Sequence, residues 1–92
     1  MNPYHVMHID KEQLDSHRHI YVITRHAVRI ALHDAGLTYQ AIADMEGMIA
    51  QRAVSHTTVL YSINRAKRDR ILIREIARVK RRIRDAKLRQ SV

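Results

Sequence analysis

Ser55, His56, Thr57 and Thr58 place four hydrogen-bonding side chains in a row, and the apolar Val59, Leu60 and Ile63 follow at once. Taken alone, Ser55 fits the ordinary role of a helix N-cap, a side-chain oxygen accepting from a backbone amide two or three residues on. Nucleophilic catalysis does not fit. Ser55 and His56 are sequence neighbours whose side chains diverge on a helix, whereas a nucleophile and its base must converge, and no acid is placed to orient His56. Reading a polar surface suits the residues as a set. Thr and Ser hydroxyls bond base edges or phosphates, and the Thr methyl can touch a thymine methyl. His56 donates or accepts according to tautomer, and the unpaired amides of a first helical turn favour a phosphate.

Such a tip needs elements to hold it. Only two glycines and one proline interrupt the 92 residues, and the β-branched residues fall at helical spacings, so an all-α reading follows. Residues 1–9 read as an N-terminal arm. Asp10, with Gln13 three residues later, predicts a capping box and a short helix near 10–15. Apolar residues at 20, 23, 27, 28, 30, 31 and 32 predict a helix near 20–35, buried on much of its circumference. Gly36 is its expected stop. Thr38 is the expected cap of a helix near 38–46 that Gly47 ends or bends, with Ile42 and Ala43 facing inward. The stretch 48–54 is either a long turn or a further helical turn. Ser55 opens a helix near 55–68, with Val59, Ile63 and Ala66 on one face and Thr57, Tyr61, Asn64 and Arg68 on the other. An unbroken helix from 55 to 89 would be ~50 Å long, so a break is expected, and Asp69 is the available cap. In the basic C-terminal helix, 67–92, Leu72, Ile76, Val79, Ile83 and Ala86 form a narrow apolar seam.

The charge is unevenly distributed. Residues 1–64 carry five Lys/Arg against six acids, whereas residues 65–92 carry twelve against three, a net of +9 in the last quarter of a chain whose total is +8. A near-neutral body with a cationic end implies a polyanionic partner, although a solvated helix face has the same composition. The chain has no cysteine, hence no disulfide framework and no thiolate metal site. It has no signal-peptide pattern and no apolar run of membrane-spanning length. A soluble, cytoplasmic protein is the expectation.

Two helices joined by a turn, the second opening on small polar residues and leading into the basic segment, form a helix-turn-helix pattern, in which the start of the second helix enters the major groove. Here the residues resemble a family. "SHTTVLYSI" resembles the Asp-His-Thr-Thr-Val signature in the DNA-binding domain of the bacterial replication initiator DnaA, through His56, Thr57, Thr58 and Val59. "EQLDSHRHIYVITRHAVRIAL" resembles that domain's opening helix, basic loop and long helix, and "TYQAIA" its Ser-x-x-Glu-Ile-Gly support helix. The likeness covers about residues 10 to 69. It implies a small helix-turn-helix bundle, Trp-repressor-like, with His56, Thr57 and Thr58 touching bases and adjacent phosphates. The sequence departs from the pattern at Ser55 (Asp in the family), Val54 (Arg, with Arg52 two residues away) and Ser62 (usually Ala). Near the start of the long helix, where the family is basic, stand Thr24, Arg25 and His26. The connection from Ile42 to His56 is about five residues longer than the family's. These departures bear on which DNA sequence is read. No Gly-rich phosphate loop is present, so the resemblance does not extend to the initiator's ATPase region.

The expected interface is therefore Ser55, His56, Thr57 and Thr58 at the tip, with Tyr61 and Asn64 along the outer face. Asn64 can read adenine bidentately, although both are equally ordinary surface residues. Arg65, Lys67, Arg68, Arg25 and Arg52 are the phosphate-binding candidates, adding affinity without sequence information. The partner is double-stranded DNA, and a homodimer through Leu72, Ile76, Val79 and Ile83 would read two half-sites one DNA turn apart. The rival reading is a helical protein-interaction module that dimerises through its C-terminal helix without specific DNA readout. Neither an enzyme, a cofactor nor a metal is expected. The histidine pairs His5/His8, His17/His19 and His26/His33 match no ligand motif. Membrane binding by the cationic tail is disfavoured by its narrow seam and the lack of Trp and Phe, and single-strand stacking by the scarcity of aromatics.

Overall fold

The computed structural model describes residues 2–66 and 69–90. Its six helices, with no strand among the described residues, form an all-α bundle: α1 Pro3–Val6, α2 Lys11–Asp15, α3 His19–Asp34, α4 Tyr39–Ala50, α5 His56–Ala66 and α6 Arg70–Gln90. No helix among these residues is long and apolar enough to cross a membrane.

The caps follow from local chemistry. Asp10 and Gln13 close the capping box of α2, the Asp10 carboxylate accepting from the Gln13 amide and the Gln13 side chain from the Asp10 amide, both at 3.1 Å. α3 stops at Gly36, whose φ of +101° suits a residue without a Cβ. The Leu37 amide then reaches back to the Leu32 carbonyl at 3.1 Å, the long bond of a Schellman turn. Thr38 caps α4 by accepting from the Ala41 amide.

α3 is the centre of the bundle. It packs on α6 along one side and on α5 along another, while α4 packs mainly on α5. The broad apolar stripe explains this: Ala27, Val28, Ile30, Ala31 and Leu32 are all buried. Ile42 and Ala43 of α4 and Val59 and Ile63 of α5 complete the core.

Three expectations require correction. The first concerns the expected arm, whose described residues, 2–9, pack into the core. Asn2 caps the short α1 by accepting from the Tyr4 amide, Pro3 opens it, and Tyr4, Met7 and Ile9 are buried. Pro pre-sets the backbone angle of a first helical position and forgoes an amide that would be unpaired there.

The second concerns Gly47, which does not end α4. The helix runs on to Ala50 and stops at Gln51, which adopts the left-handed conformation with φ 56°. Gly47 serves the returning chain instead: a Cβ there would lie 3.0 Å from the Arg52 carbonyl oxygen. The glycine marks the place where the backbone doubles back over the helix, one turn before the helix stops.

The third concerns the seam of α6. Leu72 and Val79 are fully buried, and Ile76 and Ile83 pack against the same core. The surface expected to dimerise through Leu72, Ile76, Val79 and Ile83 is used up within the chain, where it holds α6 on α3. The break before α6 lies where expected, with Asp69 outside any helix and α6 starting at Arg70.

Candidate nucleic-acid interface

The polar tip lies at the free end of α5. The Ser55 hydroxyl accepts from the Thr57 amide at 3.1 Å, and the Ser55 carbonyl from the Thr58 amide. Ser55 is thus occupied in capping, and its hydroxyl retains capacity for one further bond as a donor. His56 and Thr58 are exposed and Thr57 is half-buried. Among the described residues, none of these three side chains makes a hydrogen bond within the chain. Behind them, Val59 and Ile63 are completely buried. The tip therefore presents free donors and acceptors from a helix whose opposite face is locked into the core.

Along the outer face Tyr61 is 68% exposed, and Asn64 and Arg65 are also open to solvent. The helical register that buries 59 and 63 turns these positions outward. Lys67 and Arg68, expected to continue the cationic track, lie outside the described residues.

The structure assigns different tasks to the two upstream arginines. Nη1 of Arg25 donates to carbonyl oxygens at the end of α2, to Leu14 at 2.8 Å and Ser16 at 2.5 Å, with Gln13 at 3.3 Å. It is half-buried, and burial is the main cause that lowers its pKa, followed by the nearby charge of Arg29. Arg25 is a C-cap for α2 and presents little of its charge outward. Arg52 leaves the turn between α4 and α5 and pairs with Asp15 at 2.6 Å, and its side chain remains 55% exposed. Its hydrogen bond is the main influence pulling the Asp15 carboxyl below its usual range, with the charges of Lys11 and Arg25 acting in the same direction. The two arginines thus stitch α2 between the start of α3 and the turn that leads into the tip.

Thr24 and His26, which flank Arg25, are also used internally. Thr24 is buried and donates to the Ile20 carbonyl at 2.9 Å, beside Glu75 of α6. His26 Nδ1 shares a hydrogen bond with the hydroxyl of Ser62, a buried residue of α5. Burial, then the positive charges of Arg29, Arg25 and Arg65, push the His26 imidazole below its usual pKa. Ser62, the position where the resembled domain has Ala, is thus the partner that His26 needs. His33 donates from Nδ1 to the Leu37 carbonyl at 3.0 Å and stacks on Tyr39.

The sequence reading missed a buried polar cluster behind the site. Arg29 donates through Nε and Nη2 to the two carboxylate oxygens of Glu46, both at 2.6 Å, and the Tyr4 hydroxyl donates to Oε2 of the same carboxylate. Tyr4 is 0%, Glu46 1% and Arg29 7% exposed. Burial, then the Glu46 charge, raise the Tyr4 pKa far above the usual phenol range, so Tyr4 stays a donor. For Arg29, burial works against the charge, and the Glu46 contacts outweigh it, raising its pKa. A signal was present: Glu46 lies four residues after Ile42 and three after Ala43, in the apolar phase of α4, and Arg29 sits inside the apolar run "AVRIAL". A cation and an anion, each in core phase on adjacent helices, mark a buried pair.

The exposed face of α6 carries Arg74, Arg81 and Arg82, while Arg78 pairs with Glu75 and Lys80 with Asp34. Comparisons with protein-family models, with curated proteins and with solved structures find no match to this chain.

Proposed function

We propose that the protein binds double-stranded DNA sequence-specifically, with α4 and α5 as a helix-turn-helix and α5 as its recognition helix. The observation that carries this reading is the tip of α5, where the side chains of exposed His56 and Thr58 and half-buried Thr57 make no hydrogen bond among the described residues, on a helix fixed from behind by Val59 and Ile63. Hydroxyl and imidazole groups on a first helical turn are suited to base edges in the major groove. The resemblance of "HTTV" to the DnaA signature supports the same roles for His56, Thr57 and Thr58. The longer connection to His56 is taken up by an extra helical turn, to Ala50, and the turn after it. Arg65 and Arg52 supply phosphate contacts from either side of the tip, and the net charge of +8 supplies long-range attraction. A small cytoplasmic regulator, or an accessory replication or mobile-element protein, is the setting this activity suits.

The rival reading, a dimerisation module, loses its main support because the α6 seam is buried against α3. The test is selection of bound duplexes from a random pool, followed by titration of the selected site and a scrambled one at several salt concentrations. A preferred site is expected, together with affinity that falls steeply with salt. Arg65→Ala should weaken both duplexes alike and reduce the salt slope by about 1. A protein that shifts no duplex at low salt ends the proposal.

A further inference from the structure

We propose that His26 is a positioning residue for the recognition helix: through Ser62 it fixes the rotation of α5 about its own axis, and so sets which way the polar tip faces. The consequence for DNA rests on the function proposed above. Within residues 25–29, three polar side chains of α3 reach three different helices. Arg25 donates to carbonyls at the end of α2, Arg29 pairs with Glu46 of α4, and His26 Nδ1 shares a hydrogen bond with the Ser62 hydroxyl of α5. One short segment of the central helix thus ties down the elements around the tip.

The His26–Ser62 bond differs in kind from the apolar contacts that hold α5. Val59 and Ile63 are completely buried, but apolar burial is non-directional and leaves a helix able to roll at small cost. A hydrogen bond weakens steeply with distance and angle. Among the described residues, His26–Ser62 is the one side-chain hydrogen bond between α5 and another helix. Ser62 is 7% exposed and His26 half-buried, so water competes poorly for the bond. Its place on the helix matters too. Thr58, Ser62 and Arg65 follow one another at four and three residues and share one flank of α5. The bond therefore sets the flank that carries a tip hydroxyl at one end and a phosphate-binding candidate at the other. A roll of ~20° would carry side-chain atoms ~6 Å from the helix axis through ~2 Å, enough to break a hydrogen bond to a base edge.

Four variants of the full chain test this: His26→Leu, Ser62→Ala, the double variant, and His26→Asn, whose amide stands about where Nδ1 does. On the free protein, backbone N–H residual dipolar couplings report the rotation of α5 against α3. In His26→Leu and Ser62→Ala the couplings of α5 should shift while those of α4 and α6 are retained. His26→Asn should stay near wild type. On DNA, the ratio of affinities for the selected and scrambled duplexes should fall about fivefold in each of the two single variants, the factor by which one net hydrogen bond favours the competent orientation. The double variant should fall no further, because His26 acts through Ser62, and His26→Asn should keep most of the ratio. Melting curves fix a temperature at which every variant is folded, and should His26→Leu not fold, Ser62→Ala carries the same two readouts. Unshifted α5 couplings, an unchanged specificity ratio in the single variants, or losses that add in the double variant overturn the proposal. A wild type that binds no duplex ends the DNA reading instead, and the α5 couplings still decide whether His26 positions the helix.

Discussion

Two polar clusters sit on neighbouring helices of this bundle and obey opposite rules. Tyr4, Arg29 and Glu46 lie in the core, and each of their charged or hydroxyl groups meets a partner. Among the described residues, no buried side-chain nitrogen or oxygen lacks a hydrogen bond. Among the described residues, the side chains of His56, Thr57 and Thr58, at the start of α5, have no hydrogen-bond partner, and they face outward in whole or part. A buried polar group must be satisfied by the fold, because water cannot reach it. A polar group at the surface is satisfied by water, so leaving it free carries no folding cost and keeps it available to a ligand. The interior cluster orders the helices, and the tip is what the ordered helices present.

The sharpest way to break this contrast is to remove one partner inside. Glu46→Ala leaves the Arg29 guanidinium buried and unpaired and should cost about 3–5 kcal/mol, a large part of the total stability of a small domain. Urea unfolding would measure it. The double variant Arg29→Met/Glu46→Leu removes both charges and should recover most of the loss, since an apolar replacement of a buried ion pair is often neutral. A double variant no more stable than Glu46→Ala would mean that the charges do more than satisfy one another.

At the tip the same truncation should give the reverse profile. His56→Ala and Thr57→Ala should each leave stability within about 0.5 kcal/mol of wild type. Affinity for the selected duplex should fall by about 1–3 kcal/mol, with little change on scrambled DNA. Competition binding and thermal melting on the same samples give both numbers. A Thr57→Ala variant that binds both duplexes as the wild type does would remove the tip from the interface.

The two clusters were unequally legible in the sequence. The tip was visible because a cap, its polar followers and the apolar Val59/Ile63 pair are local patterns within one helix. The Asp10–Gln13 box, the Gly36 stop and the Thr38 cap were legible for the same reason. The interior cluster joins residues 4, 29 and 46, and no local period relates a tyrosine in α1 to a glutamate in α4. The seam of α6 was visible as a seam, but periodicity alone does not say whether it packs on the same chain or on another. Arg25, likewise, reads from sequence as a surface cation, and only the fold brings the carbonyls at the end of α2 to it.

Gly47 tests the connection between the clusters, since it follows Glu46 and lies beneath the turn that leads to Ser55. In an open helix interior, Gly→Ala gains about 0.5–1 kcal/mol. Here the added methyl would stand 3.0 Å from the Arg52 carbonyl oxygen, which is backbone and held in the turn. Gly47→Ala should therefore forfeit that gain and lose up to about 1 kcal/mol more, with a larger loss of affinity for the selected duplex as the tip is displaced. A variant that is stabilised and binds normally would show that the turn yields freely and does not position α5.

The smallest effect is expected at His26, which lies between the two regimes, half-buried and bonded to Ser62 of the recognition helix. Burial, then Arg29 and Arg25 on its own helix and Arg65 on α5, lower its folded pKa, and Glu46 opposes them weakly. The unfolded chain therefore binds this proton more readily than the folded one. The neutral imidazole's contribution to stability is complete above the ordinary histidine pKa of about 6.5 and is lost as the pH falls below it, toward the lowered folded value. The melting temperature should decline between about pH 7.5 and about pH 5.5, and His26→Gln should flatten that decline, because the amide can still meet Ser62 and does not titrate. The other histidines are common to both proteins, so the difference between the two curves isolates His26. Equal slopes would mean that α3 and α5 accept a charged imidazole between them, and that the contact joining the core to the recognition helix is looser than its burial implies.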